Sequence, residues 1–149
     1  MQITQSIAPL LSITNLNVCA VKPKSQFLLS EICFSVSKNS ITGIVGESGS
    51  GKSLTAISII GLLNERNTQV HGQIEFEGKS IFPGHKEYLR SLRGSQIAMI
   101  FQDPMTALNP AKNCGAQVDE LLRVKMGLSA SAAKKQTLEL FRQVKLPYP

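Results

Sequence analysis

The chain predicts an α/β fold, and three observations carry that expectation. Runs with alternating apolar residues recur through the N-terminal half. A glycine-rich loop lies between a continuous apolar run and a helix-forming run. Toward the C-terminus, apolar residues return at helical spacing.

Residues 10–18 alternate through Leu11, Ile13, Leu16 and Val18, with a slip near Asn15, and read as a first strand. Lys22-Pro23-Lys24-Ser25 is a turn. Residues 28–36 alternate again through Ile32, Phe34 and Val36, and Lys38-Asn39-Ser40 turns the chain into the next run. Residues 41–45 are apolar throughout apart from Thr42 and Gly43 and read as a buried strand, while residues 54–63 read as a helix packed in a layer beside the sheet. The two alternating strands ahead of that buried one predict a small antiparallel β layer flanking the core.

Between strand and helix stands Gly46-Glu47-Ser48-Gly49-Ser50-Gly51-Lys52-Ser53, a full match to G-x-x-x-x-G-K-[ST]. The residue types fit one task, which is wrapping a triphosphate in backbone N–H groups. Gly46, Gly49 and Gly51 let the main chain come close, and successive N–H groups form an anion nest. A helix opening near Lys52 adds unpaired N–H groups and the positive end of its dipole. Lys52 supplies a mobile charge for the β- and γ-phosphates, and the Ser53 hydroxyl is placed to ligate Mg²⁺. Glu47 has no evident phosphate role and reads as a solvated loop residue. The bound species expected from the loop is a nucleoside triphosphate with Mg²⁺.

After the helix, residues 64–69 form a polar loop, and Gly72-Gln73-Ile74-Glu75-Phe76-Glu77-Gly78 reads as a half-buried strand closed by a Gly78-Lys79 turn. Pro83-Gly84 breaks the chain, and residues 87–92 read as a short helix. Residues 97–101 form a second fully apolar strand, which ends at Gln102-Asp103-Pro104. Residues 114–125 suit an amphipathic helix with Val118, Leu121, Leu122 and Val124 apolar, stopped by Gly127. Ser129 or Ser131 caps a last helix whose apolar face carries Leu138, Phe141 and Val144.

Composition bounds the partners. The chain has 149 residues and a formal charge of +6, with the basic residues scattered rather than clustered or interleaved with aromatics. Scattered solvated charge is the reading, and nucleic acid is not an expected partner. Cys19, Cys33 and Cys114 have neither C-x-x-C spacing nor nearby histidines, and read as small buried apolar residues. His71, at a loop–strand boundary, and His85 are isolated and read as exposed loop residues. The longest apolar run, residues 56–63, is interrupted by Ser58 and Gly61 and is far short of the roughly 20 residues of a membrane span. Residues 1–9 lack the pattern of a secretory signal, so a cytosolic chain is expected.

The glycine loop by itself leaves kinases, GTPases, helicases and transport ATPases open. A second constellation narrows them: Ile100-Phe101-Gln102-Asp103-Pro104-Met105-Thr106-Ala107-Leu108-Asn109-Pro110. Together with Ile44-Val45 and the loop, it resembles ATP-binding-cassette transport ATPases, above all the subunits that energise dipeptide, oligopeptide and nickel import. The resemblance runs over residues 10–149. It implies a β layer and phosphate-loop core over residues 10–101, a link over 102–110, and part of a helical subdomain over 111–149.

By this resemblance Gln102 is the glutamine that senses the γ-phosphate and attacking water and reaches the Mg²⁺, on a flexible link to the helical subdomain. ATP and Mg²⁺ are the implied ligands. The implied partners are transmembrane permease subunits, a second ATP-binding subunit and, indirectly, a solute-binding protein, with the chain on the cytoplasmic face of the membrane.

Two departures from the family pattern stand out. Where the family places an aromatic residue to stack on adenine, this chain reads Val18-Cys19-Ala20, and Phe27 is a candidate substitute or else a core residue at a strand start. The chain also stops at Leu146-Pro147-Tyr148-Pro149, ahead of the family's signature, Walker B and switch-histidine motifs. The expectation is that these residues hold ATP without hydrolysing it. Two alternatives stay open: a truncated gene product that binds nucleotide weakly or not at all, and a different small phosphate-loop enzyme such as a kinase.

Overall fold

The computed structural model describes residues 8–21, 25–103 and 107–146. The first seven residues, residues 22–24 of the turn expected at 22–25, residues 104–106 of the link expected at 102–110, and the last three residues lie outside that set. The chain divides into two compact units, Met1–Arg93 and Gly94–Pro149. Its architecture is mixed α/β, as the sequence predicts.

The first unit is built on an antiparallel sheet of order β2-β1-β3-β4, from β1 (Leu11–Ala20), β2 (Gln26–Val36), β3 (Thr68–Phe76) and β4 (Lys79–Phe82). Central β1 pairs Leu16 with Ile32 and Val18 with Leu29 on one side, and Ile13 with Ile74 on the other. Ile13, Leu16, Val18, Leu29, Ile74, Phe76 and Ile81 are buried and form the core face.

Ile13 and Leu16 are three residues apart, which strict alternation would send to opposite faces. A bulge restores both to the core. Asn15 adopts a φ of 49°, and both ladders of β1 shift register around it. Side chains supply the hydrogen bonds the ladder loses there. The Asn15 N–H donates to Cys33 Sγ at 3.1 Å, Asn17 Nδ2 donates to the Asn15 carbonyl at 2.8 Å, and the Glu31 N–H donates to Asn17 Oδ1 at 3.0 Å. Gly72 of β3 passes so close that a Cβ on it would lie 2.3 Å from the Asn15 carbonyl oxygen. Glu77 and Gly78, both at positive φ, close the β3–β4 hairpin in the way two-residue turns favour.

Two helices complete this unit, α1 (Lys52–Ile59) and α2 (Lys86–Leu92). Arg93 joins them: its Nε donates to the Ile60 carbonyl and its Nη2 to the Gly61 carbonyl, each at 2.7 Å. Two orphan carbonyls at the end of α1 are thereby satisfied.

The second unit carries α3 (Cys114–Met126) and α4 (Ala130–Gln143), joined through Gly127 and capped by Ser129, whose hydroxyl accepts from the Ala132 N–H at 3.3 Å. Leu122, Ala133 and Thr137 are buried between them, and the Thr137 hydroxyl donates to the Asp119 carboxylate.

Several expectations need correction. Residues 41–45 and 97–101 are not strands: among the described residues neither joins the sheet, Ile97 makes only an isolated bridge, with its carbonyl accepting from the Gly94 N–H at 2.8 Å, and Ile41, Val45 and Ile100 are almost wholly exposed. Apolar composition states a demand for burial, whereas a strand also needs a neighbour for its ladder. The helix read over 54–63 is α1, which starts at Lys52 and ends at Ile59, ahead of Gly61 at φ 62°. The cysteines are not buried: Cys33 and Cys114 are exposed and Cys19 is intermediate. Cys33 sits at the bulge, where its thiol also donates to Asn15 Oδ1 at 3.2 Å. His71 is exposed as expected but lies within β3, not at its edge. Phe27 is 67% exposed, which removes the core reading of that ring. Val144, Leu121 and Val124 are exposed, since α3 and α4 bury one narrow stripe rather than a broad face.

Candidate functional site

Gly46 to Ser53 form a compact loop that ends on the first turn of α1. A turn opens it, with the Ser50 N–H donating to the Glu47 carbonyl at 3.2 Å. Lys52 then folds back across the loop. Its ammonium donates to the Gly46 carbonyl at 2.8 Å, the Glu47 carbonyl at 2.6 Å and Ser50 Oγ at 3.3 Å. An ammonium has three donors, so all are engaged by loop oxygens. An incoming anion therefore exchanges with one of them and does not meet a bare charge.

Gly51 is the hinge between loop and helix. It is the N-cap of α1 at φ 91°, and it offers no side-chain cap. The first helical bond runs from the Thr55 N–H to the Gly51 carbonyl at 2.8 Å, and the Thr55 hydroxyl donates to the same oxygen at 3.0 Å. The N–H groups of the turn ahead of Thr55 have no intrahelical acceptor, by the geometry of any helix start. The donor set suits an anion: uncapped N–H groups, a dipole end and one adjacent ammonium. A triphosphate fits this chemistry, and the exposed Ser53 hydroxyl fits a hard cation that prefers oxygen.

The loop rests on β2. A Cβ on Gly51 would meet Leu29 Cδ2 at 2.3 Å and the Leu28 carbonyl oxygen at 3.6 Å. Sequence reasoning missed this support, because the alternation over residues 28–36 runs through Ile32, Phe34 and Val36 and does not single out Leu29. A cleft of about 440 Å³ opens beside the loop between β2 residues Ile32 and Phe34, the segment Thr42 to Gly46, and Ser50, Lys52 and Thr55.

Gln102 belongs to the second unit and is exposed. Of the link around it, Pro104, Met105 and Thr106 lie outside the described residues. The backbone at Asn109 and Lys112 is tied to α3 by a residue that no motif singled out. Gln117 Oε1 accepts from the Asn109 N–H at 2.9 Å, and Gln117 Nε2 donates to the carbonyls of Asn109 and Lys112 at 3.0 and 3.1 Å.

Comparisons with known proteins agree with the motifs. The ABC transporter family model matches residues 29–148. A homologue from Brucella abortus (strain 2308) is 38% identical over 149 residues, covering 99% of this chain and 45% of its own length. The dipeptide transport ATP-binding protein DppD of Escherichia coli (strain K12) is 38% identical over 121 residues, or 81% of this chain and 37% of its own. The oligopeptide transport ATP-binding protein OppD of Haemophilus influenzae is 40% identical over 140 residues, or 93% of this chain and 43% of its own. The chain thus spans less than half the length of each of these relatives. Among the described residues, no helix is long and apolar enough to cross a membrane. The family match sets aside the kinase alternative, and the chain belongs to the ABC transporter family.

Proposed function

We propose that the loop is the phosphate-holding part of a MgATP site, and that the chain belongs to the ATP-binding subunit of an importer for dipeptides, oligopeptides or a related solute such as nickel. The observation that carries this reading is the uncapped start of α1 at Gly51, with Lys52 folded over the loop that precedes it.

In this account the amides of Gly46, Glu47, Ser48, Gly49, Ser50 and Gly51 take phosphate oxygens, and Lys52 trades a loop oxygen for one of them. Ser53 and Gln102 are the proposed Mg²⁺ ligands, and the cation would supply positive charge to offset that of the phosphates. Gln102 is the proposed γ-phosphate sensor, on the link 102–110 between the core and the helical subdomain. The relatives named for dipeptide and oligopeptide transport support the solute class, as does the resemblance of the Gln102 segment. Permease subunits, a second ATP-binding subunit and an indirectly acting solute-binding protein are the proposed partners, at the cytoplasmic face of the membrane.

A second reading, a product that binds nucleotide weakly or not at all, draws on the exposed apolar segments 41–45 and 97–101. Amide shifts separate the two. MgATP added to the ¹⁵N-labelled chain is expected to move the resonances of residues 46–53 saturably, with AMP leaving them in place. Absence of saturable shifts in that loop favours the second reading.

A further inference from the structure

Next to the point where the glycine loop rests on the sheet, β2 carries an aromatic ring that the core does not use. Phe27 and Leu29 are two residues apart, a spacing that puts both side chains on one face of a regular strand. Yet Leu29 is 4% exposed and Phe27 67%. The pairing with β1 explains the difference. Val18 lies opposite Leu29, and its neighbour Cys19 lies opposite Phe27, so Leu28 is an extra residue with no partner of its own. Such a bulge re-aims the side chains that follow it. Phe27 shares a face with its partner Cys19, away from the buried side that Val18 and Leu29 share.

The bulge is also where the loop comes down. The position of a Cβ on Gly51 lies 3.6 Å from the carbonyl oxygen of Leu28, the extra residue, and nearer still to the Leu29 side chain. The ring therefore stands beside the phosphate cradle. Phe27 is two residues from Leu29, about 7 Å along the strand, a span similar to the one a ribose sets between a base and its phosphate. The strand ends paired here, Val18-Cys19-Ala20 of β1 and Thr68-Gln69-Val70 of β3, hold no other ring. An exposed ring forgoes burial, and a planar ligand laid on its face restores it. Every nucleic base has such a face, and stacking on an aromatic side chain is a general way to hold one.

We propose that Phe27 is the platform on which the base of the bound nucleotide stacks, turned out of the core by the bulge at Leu28. The proposal rests on the reading of the glycine loop as a triphosphate site and adds the part that holds the nucleoside. The ring face makes the contact, so another aromatic residue serves at position 27 and an aliphatic one does not.

The chain contains no tryptophan, so Phe27→Trp introduces a single fluorescent reporter. MgATP should quench it saturably, while magnesium tripolyphosphate, which offers the phosphates without a base, should bind and leave the emission unchanged. Calorimetric titration supplies the affinities. Phe27→Ala should weaken MgATP about 10-fold and leave tripolyphosphate within about 2-fold of the wild type. Phe27→Tyr should keep both within about 2-fold. Position 27 is exposed, so all three variants should keep the circular dichroism of the wild type. Three results would overturn the platform alone: unchanged MgATP affinity in Phe27→Ala, equal weakening of MgATP and tripolyphosphate, or MgATP binding that leaves the tryptophan unquenched. Binding of neither ligand to the wild type would overturn the triphosphate reading, and the platform with it.

Discussion

Gly51 and Leu29 meet so closely that any side chain on the glycine would overlap the leucine, with a Cβ placed 2.3 Å from Leu29 Cδ2. The glycine loop is thereby seated on the edge strand β2 of the antiparallel sheet. Gly51→Ala therefore meets two obstacles, the leucine and a backbone φ of 91° that an L-residue rarely adopts. Binding of MgATP should fall at least about 10-fold in this variant. Adding Leu29→Ala removes only the first obstacle, so the double variant should recover only part of the loss, as read by calorimetric titration.

The bulge at Asn15 makes a sharper demand on stability. A Cβ on Gly72 would lie 2.3 Å from the Asn15 carbonyl oxygen and 2.8 Å from that of Thr14, both backbone atoms of the central strand. Gly72→Ala should cost more than about 3 kcal/mol, at the upper end of single-residue effects. Urea denaturation followed by circular dichroism checks this, and a loss below 1 kcal/mol would show that the bulge adapts.

In the helical unit, buried Thr137 donates to Asp119 across the α3–α4 pair. Thr137→Val keeps the shape and removes the donor, leaving the carboxylate without that partner. The expected cost is about 1–3 kcal/mol. Thr137→Ser retains the hydroxyl and should recover most of it in the same denaturation experiment.

These cases show what the sequence could and could not carry. Period-two alternation placed β1, β2 and β3, and the slip at Asn15 was visible because Ile13 and Leu16 are spaced against the alternation. The glycine loop was legible because its chemistry is local: phosphate cradle, lysine and helix start are consecutive. Long-range support was not. Nothing in the sequence pairs Leu29 with Gly51, or Gln117 with the backbone of Asn109. Residues 41–45 failed for a related reason, since their apolar character fixes what they would bury and not which strand they would meet.

Those segments are also where self-association is expected. Ile41 is 103% exposed and Ile100 96% exposed, each within an apolar stretch whose backbone joins no ladder among the described residues. Ile41→Lys with Ile100→Lys should reduce self-association without lowering stability, whereas Ile13→Lys, at a position 2% exposed, should unfold the chain. Light scattering and thermal melts distinguish the two outcomes.

Hydrolysis is a separate matter from binding. Among the described residues lining the cleft beside the loop there is no carboxylate to orient an attacking water. Phosphate release by these 149 residues alone should match that of a Lys52→Ala control. Turnover that depends on Lys52 would show that another group fills the role.

The central claim is that the loop around Lys52 holds a nucleoside triphosphate, and calorimetric titration of MgATP into the wild-type chain and Lys52→Ala tests it most directly. Both proteins should give the same circular dichroism spectrum, because the bonds of Lys52 among the described residues all lie within its own exposed loop. The account predicts saturable binding to the wild type, weakened at least about 10-fold in the variant, which is 1.4 kcal/mol or more. Equal affinity in the two proteins, or no binding to either, would contradict it.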